Sequence, residues 1–80
     1  MGFTFSIETS APVPIWRQIE DGIRWGIASG ELAPGTAVPS VREAAVALRV
    51  NPATVARAYR QLVDAGLLSV RRGEGTFVPE

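Results

Sequence analysis

The sequence predicts a small α+β domain, mostly α, built from three helices and a C-terminal β-hairpin. Three observations carry this. Isoleucine recurs every fourth position at Ile15, Ile19, Ile23 and Ile27, one stripe of a helix. Two further helical patterns, around Val41 to Leu48 and Val55 to Leu62, each follow a helix-start signal. Beyond Gly66 the pattern changes to alternation, broken once by Arg72-Gly73-Glu74-Gly75. A chain of 80 residues is one domain with a modest core.

The elements follow in order. Phe3-Thr4-Phe5-Ser6-Ile7 alternates apolar and polar residues and reads as a short extended arm within residues 1–12. Thr9-Ser10-Ala11-Pro12-Val13-Pro14 breaks it. The first helix is expected from about Pro14, where a missing N–H costs nothing, to Ser29, with Gly30 as a left-handed stop. Ala33-Pro34-Gly35 predicts a type II turn, and a short strand is expected over 36–38. Ser40-Val41-Arg42-Glu43 has the spacing of a capping box, so a second helix begins at Val41, with Val41, Ala44, Ala45 and Leu48 inward. Arg49-Val50-Asn51 is a three-residue turn, with Asn51 as N-cap and Pro52 at the first position of a third helix reaching about Ala65. Val55, Ala58, Tyr59 and Leu62 face inward there, while Ala53, Arg57, Arg60 and Asp64 face out. Alternation from Leu68 and a returning Thr76-Phe77-Val78 complete the hairpin over 69–78.

Composition removes several functions. There is no cysteine and no histidine, hence no disulfide framework, no thiolate metal site and no imidazole base. No serine has a visible base, and Glu20 and Asp21 point in different directions on their helix, so an active site has little to build on. No cofactor and no metal are expected. The N-terminus lacks a signal-peptide pattern, no apolar run approaches a membrane span, and a cytoplasmic, nucleoid-associated location is the expectation.

Net charge is zero, but its distribution is not even. Residues 1–40 carry two arginines against four acids, and residues 41–80 six against four. Every basic residue is arginine, whose planar fork suits phosphate and guanine. Two short helices joined by a three-residue turn, the second with outward arginines, have the layout of a helix-turn-helix, and the hairpin beyond them is a wing. The expected fold is therefore a winged helix-turn-helix over 13–80, with double-stranded DNA as partner.

The residues also resemble a known family. Pro39-Ser40-Val41-Arg42-Glu43, Val50-Asn51-Pro52-Ala53-Thr54-Val55, Arg57-Ala58-Tyr59-Arg60-Gln61-Leu62, Gly66-Leu67-Leu68 and Arg71-Arg72-Gly73-Glu74-Gly75-Thr76-Phe77-Val78 are together similar to the DNA-binding domain of GntR-family transcription regulators. The segments from Pro14 to Ile19 and from Ser29 to Gly35 resemble it too. The Asn51-Pro52 helix start and the Ala58-Tyr59 pair resemble the YtrA and MocR branches most. The resemblance implies an operator-reading domain of a bacterial regulator, repressor or activator. Its implied DNA contacts are Ser40, Arg42, Asn51, Thr54, Arg57, Arg60, Arg72, Gly73, Gly75 and Thr76. Pro52 and Ala56 depart from branches that carry arginine there, which implies thinner base readout at the helix start. Family members also carry a C-terminal effector-binding or dimerising domain, which implies a homodimer of the full-length parent.

Structural readings stand beside these. Arg57 and Arg60 suit a solvated helix face, Arg42 a surface balance to Glu43, Gly73 and Gly75 the hairpin turn, and Tyr59 the core. Trp16 and Trp25 are nine positions apart, so at least one is expected to be part-exposed, at a dimer surface or against a further domain. Two alternatives stay open: the head of a regulator fused to an aminotransferase-like domain, and a winged-helix protein-interaction module. Arginine on the recognition face argues against the second.

Overall fold

The computed structural model describes residues 5–80; Phe3 and Thr4 of the expected arm lie outside the described residues. The order is α1 (Ile15–Ser29), β1 (Ala37–Val38), α2 (Val41–Leu48), α3 (Pro52–Asp64), β2 (Ser69–Arg71) and β3 (Gly75–Phe77). All three expected helices form. Pro14 lies one residue outside α1: its backbone is extended, and its carbonyl accepts from the amides of Arg17 and Gln18. Gly30 stops the helix at φ 88°, the left-handed conformation that glycine adopts without strain.

The capping box at α2 is complete. Ser40 Oγ accepts from the Glu43 amide at 3.0 Å, and Glu43 Oε1 accepts from the Ser40 amide at 2.9 Å. Arg49 ends α2 in the left-handed region at φ 58°, among the described residues the one non-glycine there. Asn51 Oδ1 caps α3 by accepting from the Ala53 amide at 2.8 Å. At the other end, Gly66 N–H donates to Val63 O and Leu67 N–H to Leu62 O, the paired bonds that close a helix on a left-handed residue.

The helices close over one core. Ile19 and Ile23 of α1, Ala44 and Ala45 of α2, and Val55, Ala58, Tyr59 and Leu62 of α3 are buried, joined by Val38, Leu68 and Val78. Each large aliphatic among them contributes about 1.5–3 kcal/mol by burial. Ile15, Ile27, Phe5 and Ile7 pack against its edge.

The hairpin is part of a larger sheet than the sequence suggested. The strands are antiparallel in the order β1-β3-β2, so the linker between α1 and α2 supplies a third strand. Gly35 N–H donates to Val78 O and Val78 N–H to Thr36 O, which ties the wing's exit to the Pro34-Gly35 turn. Gly75 belongs to β3 rather than to the turn, because it pairs with Arg71 across a loop of residues 72–74. The expected alternation of Leu68 with Val70 also differs. Leu68 is buried while Val70 is 65% exposed. Leu68 donates its amide to Leu62 O and so belongs to the end of α3, which turns it inward before the strand begins.

Candidate nucleic-acid interface

Each of the six arginines in the second half is exposed. The ion pairs formed between described side chains, Arg17–Asp21 at 3.6 Å and Arg24–Glu20 at 3.9 Å, both lie on α1. The arginines of α2, α3 and the wing therefore face solvent outside any ion pair between described side chains, two in excess of the four acids of residues 41–80, while the acids of α1 are partly spent on its own arginines.

The expected site residues fall into three groups. Ser40 and Arg42 sit at the start of α2. Ser40 already spends its hydroxyl oxygen and its amide on the cap. The same cap, through the Ser40 amide first and its hydroxyl second, holds the Glu43 carboxyl below its ordinary value.

The second group is on α3. Asn51 spends Oδ1 on Ala53, and its side-chain amide N–H groups enter no hydrogen bond among the described residues. Thr54 is half-buried in the first turn. Arg57 and Arg60 are three positions apart, about 60° around the helix, and they diverge. Arg60 lines a groove between α3 and the wing, together with Val41, Ala56, Val70 and Thr76. Arg57 turns the other way, and its guanidinium lies 4.5 Å from the centre of the Trp16 ring of α1.

The wing forms the third group. Arg72 and Gly73 occupy its exposed tip, where Glu74 N–H donates to Arg71 O and Gly73 takes φ 78°, as a type II turn requires at that place. Gly75 and Thr76 stand on β3, with Thr76 opposite Val70 on one side and Val38 on the other. Arg71 packs over the Phe77 ring at 4.2 Å. The groove thus brings Arg60 and Thr76 together next to the start of α2, while Arg57 belongs to the α1 side.

Sequence reasoning left Trp16 out of the site, because nothing in the spacing of two residues 41 positions apart announces a contact. Tyr59 is confirmed as a core residue: its hydroxyl donates to Pro39 O at 2.6 Å and holds the segment before α2 against α3. Burial first, and the nearby Glu43 charge second, push that hydroxyl's pKa well above its ordinary value. Among the described residues no acidic cluster could hold a metal ion, and no helix is long and apolar enough to cross a membrane.

The comparisons with known proteins agree with this geometry. The profile described as bacterial regulatory proteins, gntR family, matches residues 16–78. The chain is 45% identical over 67 residues to the uncharacterized HTH-type transcriptional regulator YhcF of Bacillus subtilis, covering 84% of this chain and 55% of that protein. It is 36% identical over 74 residues to the HTH-type transcriptional repressor YtrA of the same organism, covering 92% and 57%. Among solved structures, YtrA from Sulfolobus acidocaldarius superposes with a TM-score of 0.86 at 42% identity, covering 95% of this chain and 64% of that one. The DNA-binding domain of AraR in complex with operator ORX1 superposes with a TM-score of 0.81 at 28% identity, covering 92% and 98%. The chain spans a little over half the length of these two curated relatives. With its winged helix-turn-helix in place and the family profile matched from the start of α1 to the end of the wing, the chain belongs to the gntR family of bacterial regulatory proteins, on the YtrA-like branch, a family of transcription regulators rather than enzymes.

Proposed function

We propose that this domain reads a specific operator in double-stranded DNA, with α3 in the major groove and the wing beside it, as the DNA-binding head of a dimeric regulator. The observation that carries the reading is the exposed arginine surface shared by α2, α3 and the wing, in no ion pair between described side chains. The AraR domain, solved in complex with operator, supports it through its fold. In this reading Arg42, Thr54, Arg57 and Arg60 approach base edges. Asn51 donates to a phosphate at the start of α3 and Ser40 brings the start of α2 against one, where free helix N–H groups and the helix dipole favour an anion. Arg72, Gly73, Gly75 and Thr76 bring the wing against the backbone or the minor groove. Residues 13–80 form the reading unit, and residues 1–12 its arm.

The test is selection of a duplex from a randomised pool, followed by binding at graded salt. Affinity is expected to fall steeply with salt, because each neutralised phosphate releases counterions. Arg42→Ala and Arg57→Ala are expected to cost about 1–3 kcal/mol more on the selected duplex than on a scrambled one, while Arg71→Ala weakens both alike. Failure to bind any duplex at low salt overturns the reading. Equal losses on both duplexes remove the base-reading roles of Arg42 and Arg57.

A further inference from the structure

We propose that Trp16 is a positioning residue for DNA recognition, its indole face holding the Arg57 guanidinium in the orientation that α3 presents to a base or phosphate. The inference rests on the DNA-binding reading and adds to it a residue from outside the helix-turn-helix and the wing.

The geometry has three parts. Trp16 lies in the first turn of α1, half-buried on the flank that packs against α3 and one turn before the buried Glu20. Its position is therefore fixed by the core rather than by solvent. Arg57 is exposed on the outer face of α3, and among the described residues its guanidinium enters no ion pair and no hydrogen bond. The aromatic face at 4.5 Å is what holds it.

The chemistry of the stack explains its use. A guanidinium attracted to the face of an indole interacts through its own flat surface. Its five N–H donors lie in the plane and stay available for guanine O6 and N7 or for a phosphate. An unsupported arginine loses much side-chain freedom when it docks, whereas a stacked one has already lost part of it. Trp16 thus lowers the ordering cost of the contact without consuming the donors that make it.

The test uses the 80-residue chain, the selected duplex and its scrambled counterpart. Trp16→Leu is expected to weaken the selected duplex about two- to tenfold, the ordering cost of one long side chain at an interface. It should weaken the scrambled duplex less. Trp16→Tyr, which keeps an aromatic face, should restore most of the loss. In an Arg57→Ala background Trp16→Leu should add little, because the two act as one unit. A solution signature is available in the Trp25→Phe chain, where Trp16 is the remaining indole. Arg57→Ala should change its emission without DNA, and duplex addition should change it further. Wild-type affinity and selectivity in Trp16→Leu, with Arg57→Ala clearly impaired, overturns the proposal alone. So does a Trp16→Leu loss of equal size with and without Arg57, which would be a loss through the fold. A wild-type chain that binds neither duplex overturns the DNA-binding reading together with this one.

Discussion

At the scale of single residues, Tyr59 shows how a site and a core share one side chain. It sits on the inward stripe of α3, yet its hydroxyl reaches out to Pro39 O, directly before the Ser40 cap. Tyr59→Phe leaves a part-buried carbonyl without its donor and is expected to cost about 1–2 kcal/mol of stability in urea unfolding. The same substitution should change the alkaline limb. The folded hydroxyl titrates above the ordinary 10.0, so its contribution is complete below that pH and declines as pH rises beyond it. Tyr59 is the single tyrosine, and the chain has neither lysine nor cysteine, so few other groups titrate there. An alkaline decline that persists unchanged in Tyr59→Phe would show that another process unfolds the protein.

At the scale of elements, the helix starts are where local chemistry is most concentrated. The capping box ties Ser40 and Glu43 reciprocally, and it also fixes the backbone from which Arg42 projects. Because the folded Glu43 carboxyl titrates below the ordinary 4.5, the box contributes fully above that pH and is lost as pH falls through the folded value. The thermal midpoint of the wild-type chain is expected to drop over this acid range. Glu43→Gln keeps an acceptor that does not titrate, so its midpoint should fall less there, and the gap between the two should narrow. Parallel acid limbs would mean that Glu43 does not carry the linkage. The α1 end is held by a different device: Gln18 Oε1 accepts from the Glu8 amide, and Nε2 donates to Glu8 O and Val13 O, pinning the arm's exit to the helix.

At the scale of the whole molecule, neutrality conceals a division of labour. Residues 1–40, α1 and its flanks, carry four acids against two arginines, while residues 41–80 carry six arginines against four acids, the exposed arginines spread over α2, α3 and the wing. The large exposed apolar side chains among the described residues are scattered: Val13 beside Trp25 on the α1 side, Val46 on α2 and Val70 on the wing. A stable interface needs about 800 Å² on each partner, and these side chains are spread over the α1 side, α2 and the wing. The 80-residue chain is accordingly expected to sediment as a monomer or weak dimer. Two copies in one dimeric parent would gain avidity on half-sites one helical turn, or a multiple, apart. A tight dimer of this chain at low concentration would instead make the Trp25 and Val13 surface a dimer interface.

The sequence by itself determined the helices, their caps and the family. These rest on interactions between residues at most four or five apart: the isoleucine stripe, the Ser40–Glu43 box, the Asn51-Pro52 start and the glycine stops. It also marked the exposed arginines, since a helical period separates Tyr59 and Leu62 from Arg57 and Arg60 without any tertiary knowledge. What only the tertiary structure decided is how distant segments meet. The pairing of β1 with β3, the burial of Leu68 at the end of α3 and the left-handed Arg49 in a turn without glycine have no local signature. The divergence of Arg57 and Arg60 is of the same kind. Periodicity puts both on one face, but the neighbour each one meets, the indole of Trp16 or the groove beside the wing, is set by how α1 and the sheet pack around α3. That packing is a property of the closed core, where burial is indifferent to separation along the chain.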